Sequence, residues 1–362
     1  MQETKKFRVN LGTFDLVKGI SMMLIVIGHV RYYFDTSKMA IAAPLFFLVN
    51  FVVSGLMPMF FMISGYSFKK KTVGVMVKET ARDLLKPYAL VAVSVTILFP
   101  IIHYLTFRWW PSAVQETVRY FLAFLLGVAK PGKIVLGYAL YDCAVVWFLL
   151  ALFVGMNLLN LIQKIQSEYL QVVLAMVCVF VGWVLYTIDF TCFCLPQGLS
   201  AVGFCYIGCL IKKYKLLERL KSTKALYGIY LVLFLITLWH SRNSALGLAY
   251  GVYNYFGLDY FCAACAGLLF LLWGAYGGQV EWNGLNLIRK VGLYTYWIMC
   301  AHSVEEICIP WYKWSEIMAD HQLLGFVIEL GIKAVIYTGV CLVLKKISRY
   351  RYLKKRAQLR KT

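Results

Sequence analysis

Three ionisable residues interrupt an apolar run near the start of the chain: Asp15, Lys18 and His29 in FDLVKGISMMLIVIGH, residues 14–29. On an α-helix Lys18 and His29 fall within about 20° of each other and Asp15 about 60° from Lys18, so the three form one stripe. Eleven residues rise about 16 Å, which sets the lysine and the histidine apart by roughly half a bilayer core. Ionisable groups at such depth are costly in hydrocarbon and face a bundle interior or a watered cavity, which makes a functional site the default reading. For Asp15 and Lys18 the alternative is an interfacial snorkelling pair, and for His29 a histidine bonded to a neighbouring helix.

A second histidine stands in similar company. His302 lies about eleven residues into its apolar segment, with Glu305 and Glu306 at i+3 and i+4 on the same face. Imidazole titrates near neutral pH and a carboxylate fixes its tautomer, so His29 and His302 are the candidates for proton transfer. His103, His240 and His321 read as interfacial or loop residues. A third group is basic: Lys78, Arg82 and Lys86 recur every four residues in SFKKKTVGVMVKETARDLLKPY, residues 67–88. That spacing lines one helical face, which suits a polyphosphate such as the nucleotide end of coenzyme A. The run Lys69, Lys70, Lys71 reads more simply as topology charge.

The elements that must position these groups are membrane helices. Of the 362 residues 61% are hydrophobic and 15% charged, against about a quarter charged in soluble domains. The net charge of +20 would point to nucleic acid in a soluble chain, but here the basic residues cluster in short runs between apolar segments. That is a positive-inside pattern, and a nucleic-acid partner is excluded. At about 20 residues per span, helices are expected near 14–34, 44–68, 87–106, 143–163, 169–188, 198–211, 225–240, 258–277, 291–311 and 323–345. Ten spans with both termini cytoplasmic place 27 of the 37 Lys and Arg inside. The short apolar segment 117–128 then belongs to an outer excursion, 107–142, holding an interfacial or re-entrant helix. The fold class is thus an all-α polytopic bundle over 1–345 with a basic cytoplasmic tail, 346–362, read as a topology and anionic-lipid anchor. The 11 cysteines show no zinc or redox spacing, so neither a metal nor a disulfide framework is expected. A signal peptide is rejected because the first apolar run is too long and already charged.

The stretch 14–29 together with MPMFFMISGYSF (57–68), ARDLLKPY (81–88), VWFLLALF (146–153) and GLYTYWIMCAH (292–302) resembles, in order and spacing, the membrane acyltransferase 3 family. The nearest branch is that of the fucose 4-O-acetylase-like proteins. The resemblance runs from about residue 12 to 345. It implies about ten helices and transfer of an acyl group, most simply acetyl, from cytoplasmic acetyl-CoA to a carbohydrate or glycolipid hydroxyl outside a bacterial cytoplasmic membrane. A family pattern of Arg or Lys followed ten residues later by His is met by Lys18 and His29. The family's Arg-x-x-Arg pair is imperfect here, with Glu79 three residues before Arg82. Under this reading His29 is general base or acyl carrier, Lys18 holds the donor, and His302 with Glu305 orients the acceptor or shares its proton. Lys78, Arg82 and Lys86 meet the donor phosphates, and Asp142 and Trp147 join the acceptor site. The aromatic-rich segments 107–142 and 241–257 are further acceptor candidates. A transporter or flippase, or a ligand-sensing membrane module, is the competing class, although no inverted repeat is evident.

Overall fold

The computed structural model describes residues 11–35, 42–190, 192–221, 225–243, 246–280 and 282–359, with backbone alone at 11, 42–46, 221 and 347–359. In chain order the helices are α1 (Asp15–Val30), α2 (Ala42–Ser67), α3 (Val73–Thr80), α4 (Lys86–Phe107), α5 (Trp110–Leu126), α6 (Trp147–Ile162) and α7 (Glu168–Thr187). They continue with α8 (Leu195–Lys213), α9 (Leu216–Lys221), α10 (Ala225–Asn243), α11 (Phe256–Gly277), α12 (Leu285–Cys308), α13 (Trp311–Ile317) and α14 (Gln322–Leu359). A two-stranded hairpin, β1 (Ile134–Val135) and β2 (Tyr138–Ala139), is the only sheet among the described residues.

Nine of the described helical segments are long and apolar enough to cross a membrane. The tenth expected span is α12, whose 24 residues match its neighbours in length but include a polar stretch from His302 to Glu306. The chain is a multi-pass membrane bundle. Two boundaries differ from expectation. The third span is continuous with α3 through a π turn, Ala81–Leu85, and runs from Val73 to Phe107. α14 passes through position 345 without a break, so the start of the tail is a helical extension. The side chains of 347–362 lie outside the described residues.

The excursion is built from α5, whose 17 residues turn back along α4. The Tyr88 hydroxyl near the start of α4 donates to the carbonyl of Phe124 near the end of α5 at 2.6 Å. Gly127 ends α5 with φ +62°, a conformation favouring glycine, where a Cβ would also strike Leu150 and the backbone of Phe193.

The main apolar core lies where α2 packs between α8 and α11, with Met59, Phe61, Met62, Phe204 and Phe270 fully or nearly fully buried. Close approach is set by glycine: a Cβ at Gly65 would overlap the carbonyl of Cys205, and one at Gly208 that of Met62. The basic segments 69–86, 212–221 and 289–290 gather at one end, tied by Lys212 to the Phe68 carbonyl, Tyr276 to the Leu217 carbonyl and Arg289 to the Gly278 carbonyl. Under the positive-inside reading this is the inner end.

Candidate active site

α1 and α12 run side by side in the same direction. His29 meets His302, and Tyr33 donates to Glu306 at 2.7 Å across 273 positions. The contact is close because both helices offer glycine to the other's backbone: a Cβ at Gly19 would overlap the carbonyl of Ile288, and one at Gly292 that of Asp15. α14 returns antiparallel, bringing Lys333 against Glu305 and Glu306, and Tyr337 against His302. The turn into α13 adds Trp311.

The imidazoles of His29 and His302 meet edge to face with ring centroids 4.9 Å apart. His302 is completely buried, and its Nδ1 donates to Glu305 Oε1 at 2.8 Å. A carboxylate there requires the proton on Nδ1, which leaves the lone pair of the neutral ring on Nε2. That Nε2 is buried and has no hydrogen-bond partner among the described residues. His29 is the accessible member of the pair, its side chain 33% exposed and its Nδ1 3.9 Å from Glu306 Oε1. Behind the imidazoles, Glu305 accepts from Tyr337 at 2.7 Å, from Trp311 Nε1 at 2.6 Å and from Lys333 at 2.8 and 3.0 Å. Removing one partner from so buried a pair costs about 3–5 kcal/mol, so the network is stable only as a whole.

His29, His302 and Glu306 each offer one ligand atom, all within 4.8 Å of one another, a spacing that would admit a metal ion. Lys333 Nζ, 2.9 Å from Glu306 Oε2, already supplies a positive charge to that carboxylate. The two imidazoles, one bonded to Glu305 and the other 3.9 Å from Glu306, are also of the type and spacing that proton transfer uses.

Cavities approach this cluster from both ends of the bundle. An inner one of about 230 Å³ is lined mainly by apolar side chains, including Met22, Ile25 and Met299, with Lys18, Ser64 and Tyr296 among its polar groups. An outer one of about 670 Å³ is bounded by Tyr33 and Glu306 of the cluster and by Tyr120, Tyr141, Trp311 and Tyr312. Neither histidine lines either cavity: the inner one reaches Ile25 and Met299, about one helical turn before them, and the outer one begins at Tyr33 and Glu306, about one turn after. A family model described as an acyltransferase domain, that of acyltransferase family 3, matches residues 11–345. The chain belongs to this acyltransferase family. No curated protein and no solved structure matches it.

In this acyltransferase the sequence-predicted residues separate into three places. His29, His302 and Glu305 meet in the cluster. Lys18 stands apart at the inner cavity, paired with Asp15 at 2.6 Å. Lys78, Arg82 and Lys86 are all exposed, but the π turn lies between the first and the last, so uninterrupted α-helical spacing does not carry across the three. Arg82 is bonded twice to Asp83, at 2.7 and 3.1 Å. The same turn is tied to the wall of the inner cavity by the Tyr296 hydroxyl, which donates to the Asp83 carbonyl.

Neither of the two expected acceptor residues lines the outer cavity. Asp142 Oδ1 accepts from the Ala144 N–H at 2.9 Å and so helps start the turn into α6. Burial pushes its carboxyl above the usual carboxylate range and nearby Glu306 adds to this, against the pull of that N–H. Trp147 is packed in the apolar core. The cluster also contains residues that sequence reasoning passed over: Tyr33, Trp311, Glu329, Lys333 and Tyr337. For Lys333 and Glu329 a signal existed, an i, i+4 charge pair inside an apolar run. The aromatic partners had none, since aromatics occur throughout the chain.

Proposed function

We propose that this acyltransferase is an O-acetyltransferase of a bacterial cytoplasmic membrane, moving an acetyl group from cytoplasmic acetyl-CoA to a hydroxyl of a carbohydrate or glycolipid on the outer side. The observation that carries the reading is the position of His29 and His302 between an inner cavity with Lys18 and an outer cavity walled by aromatic side chains. The donor's phosphates would lie at the exposed basic segment of Lys78, Arg82 and Lys86, with the thioester reaching inward past Lys18. Tyr120, Tyr141 and Trp311 offer ring faces on which a sugar can stack.

His29 takes the proton of the acceptor hydroxyl as the oxygen attacks the thioester carbonyl. The tetrahedral intermediate collapses with cleavage of the C–S bond, and the departing thiolate recovers the proton from the imidazolium. His302, held by Glu305 with Nε2 free, shares that proton across the ring contact. Acylation of His29 followed by attack of the hydroxyl on the acyl-imidazole uses the same groups, and differs in leaving label on the protein when no acceptor is present. The test is release of CoA from acetyl-CoA by the purified chain over a panel of surface glycans. Release that requires a glycan and vanishes in His29→Ala upholds the reading. Unchanged release in that variant removes His29 from the mechanism.

A further inference from the structure

Between Gln322 and Leu344 the only charged residues of α14 are Glu329 and Lys333, and both side chains are fully buried. A lysine ammonium has three N–H donors. Lys333 directs them at three carboxylate oxygens: Glu305 Oε1 at 2.8 Å, Glu305 Oε2 at 3.0 Å and Glu306 Oε2 at 2.9 Å. Glu329 Oε1 is 3.5 Å away and neither of its oxygens receives a hydrogen bond from the described residues, so the donors are committed to the other two carboxylates. Glu305 bonds His302, and Glu306 stands 3.9 Å from His29 and equally far from His302. Trp311 closes the cage, with Nζ 4.6 Å from its ring centre.

Without the ammonium, three neighbouring carboxylates in a low-dielectric interior would repel one another and either take up protons or turn away. Either response releases the hold on the imidazoles. Lys333 itself lines neither cavity, so its influence on a substrate must pass through other side chains. We propose that Lys333 is a positioning residue for acyl transfer: its buried ammonium holds Glu305 and Glu306 where they aim His302 and His29 at the reacting atoms. The inference rests on the reading that those histidines carry the transfer.

The test uses membranes containing the full chain, radiolabelled acetyl-CoA as donor and the glycans of the same membranes as acceptor. Lys333→Ala is expected to lower the maximal rate of label transfer roughly 100-fold, the scale of a disabled proton-transfer group, with KM for acetyl-CoA moved less than about threefold. Ethylamine, which can enter the vacated space as a cation, should restore at least about a tenth of the lost rate, whereas ethanol should restore none. Lys333→Gln, neutral and of similar length, should be as impaired as the alanine variant while accumulating at the wild-type level. Transfer by Lys333→Gln within threefold of wild type overturns the proposal, as does equal rescue by ethanol and ethylamine. Failure of both variants to accumulate also overturns it, because Lys333 is then a folding determinant only. Wild-type membranes that transfer no label refute the acetyl-transfer reading itself, a result distinct from any variant outcome.

Discussion

The two sides of the bundle are built from the same element and closed by opposite means. Where α2 passes between α8 and α11, the interface is apolar and glycines let backbones approach closely at Gly65 and Gly208. Where α1, α12 and α14 meet, the interior holds three carboxylates, an ammonium and two imidazoles. In hydrocarbon an apolar side chain gains little by leaving lipid for protein, so the first region depends on interlocking shape. The second depends on polar groups that each need a partner. The contrast separates a scaffold, which depends on apolar side chains of the right volume, from a site, which depends on each charge keeping its partner.

The largest effect that bears on this division is expected at His29. His29→Ala should lower acetyl transfer by about 10²–10⁴-fold while leaving the thermal transition of the detergent-solubilised protein close to wild type. Unfolding in that variant would place His29 with the scaffold instead. Glu305→Gln should follow, reducing the maximal rate about tenfold or more and also lowering the melting temperature, since the ammonium of Lys333 loses its main counter-charge. In the apolar region, Gly65→Val should destabilise by about 1–3 kcal/mol, with the fraction that folds turning over at the wild-type rate. A specific loss of rate there would join the two regions into one functional unit. Lys78→Ala combined with Lys86→Ala should raise KM for acetyl-CoA a few-fold, an effect that fades as salt screens exposed charge. The smallest effect concerns Asp142. Its native pKa is raised, so the stability it contributes is fully present below the unfolded value of about 4 and is lost as pH rises through the native value. Asp142→Asn, which keeps the acceptor for Ala144 N–H, should flatten melting temperature against pH between about 4 and that value.

Much of the site's outline is legible in the sequence because a helix converts spacing into direction. Lys18 and His29 at eleven positions, and His302 with Glu305 at three, declare shared faces without any knowledge of neighbours. What spacing alone does not give is the identity of the element opposite. Lys333 is visible as a charge in an apolar helix, but its pairing with Glu305 crosses 28 positions and depends on how α14 folds back. The recurrence of Lys78, Arg82 and Lys86 predicts a straight helix, and a π turn is invisible to such counting because it adds no distinctive residue. Trp147 shows that position along a span does not give direction. A tryptophan near a membrane boundary reads as an interfacial or stacking residue, yet this one faces inward to the apolar core.

The glycine contacts between α1 and α12 bear on how the molecule can work. The two backbones are seated against each other at Gly19 and Gly292, ten residues before His29 and His302, so sliding one helix along the other would break that contact as well as the contact of the rings. A carrier that works by alternating access must hide its central groups from each side in turn. On the proposed reading the histidine pair stays in place, and it is the acyl donor and the acceptor that have to make the journey.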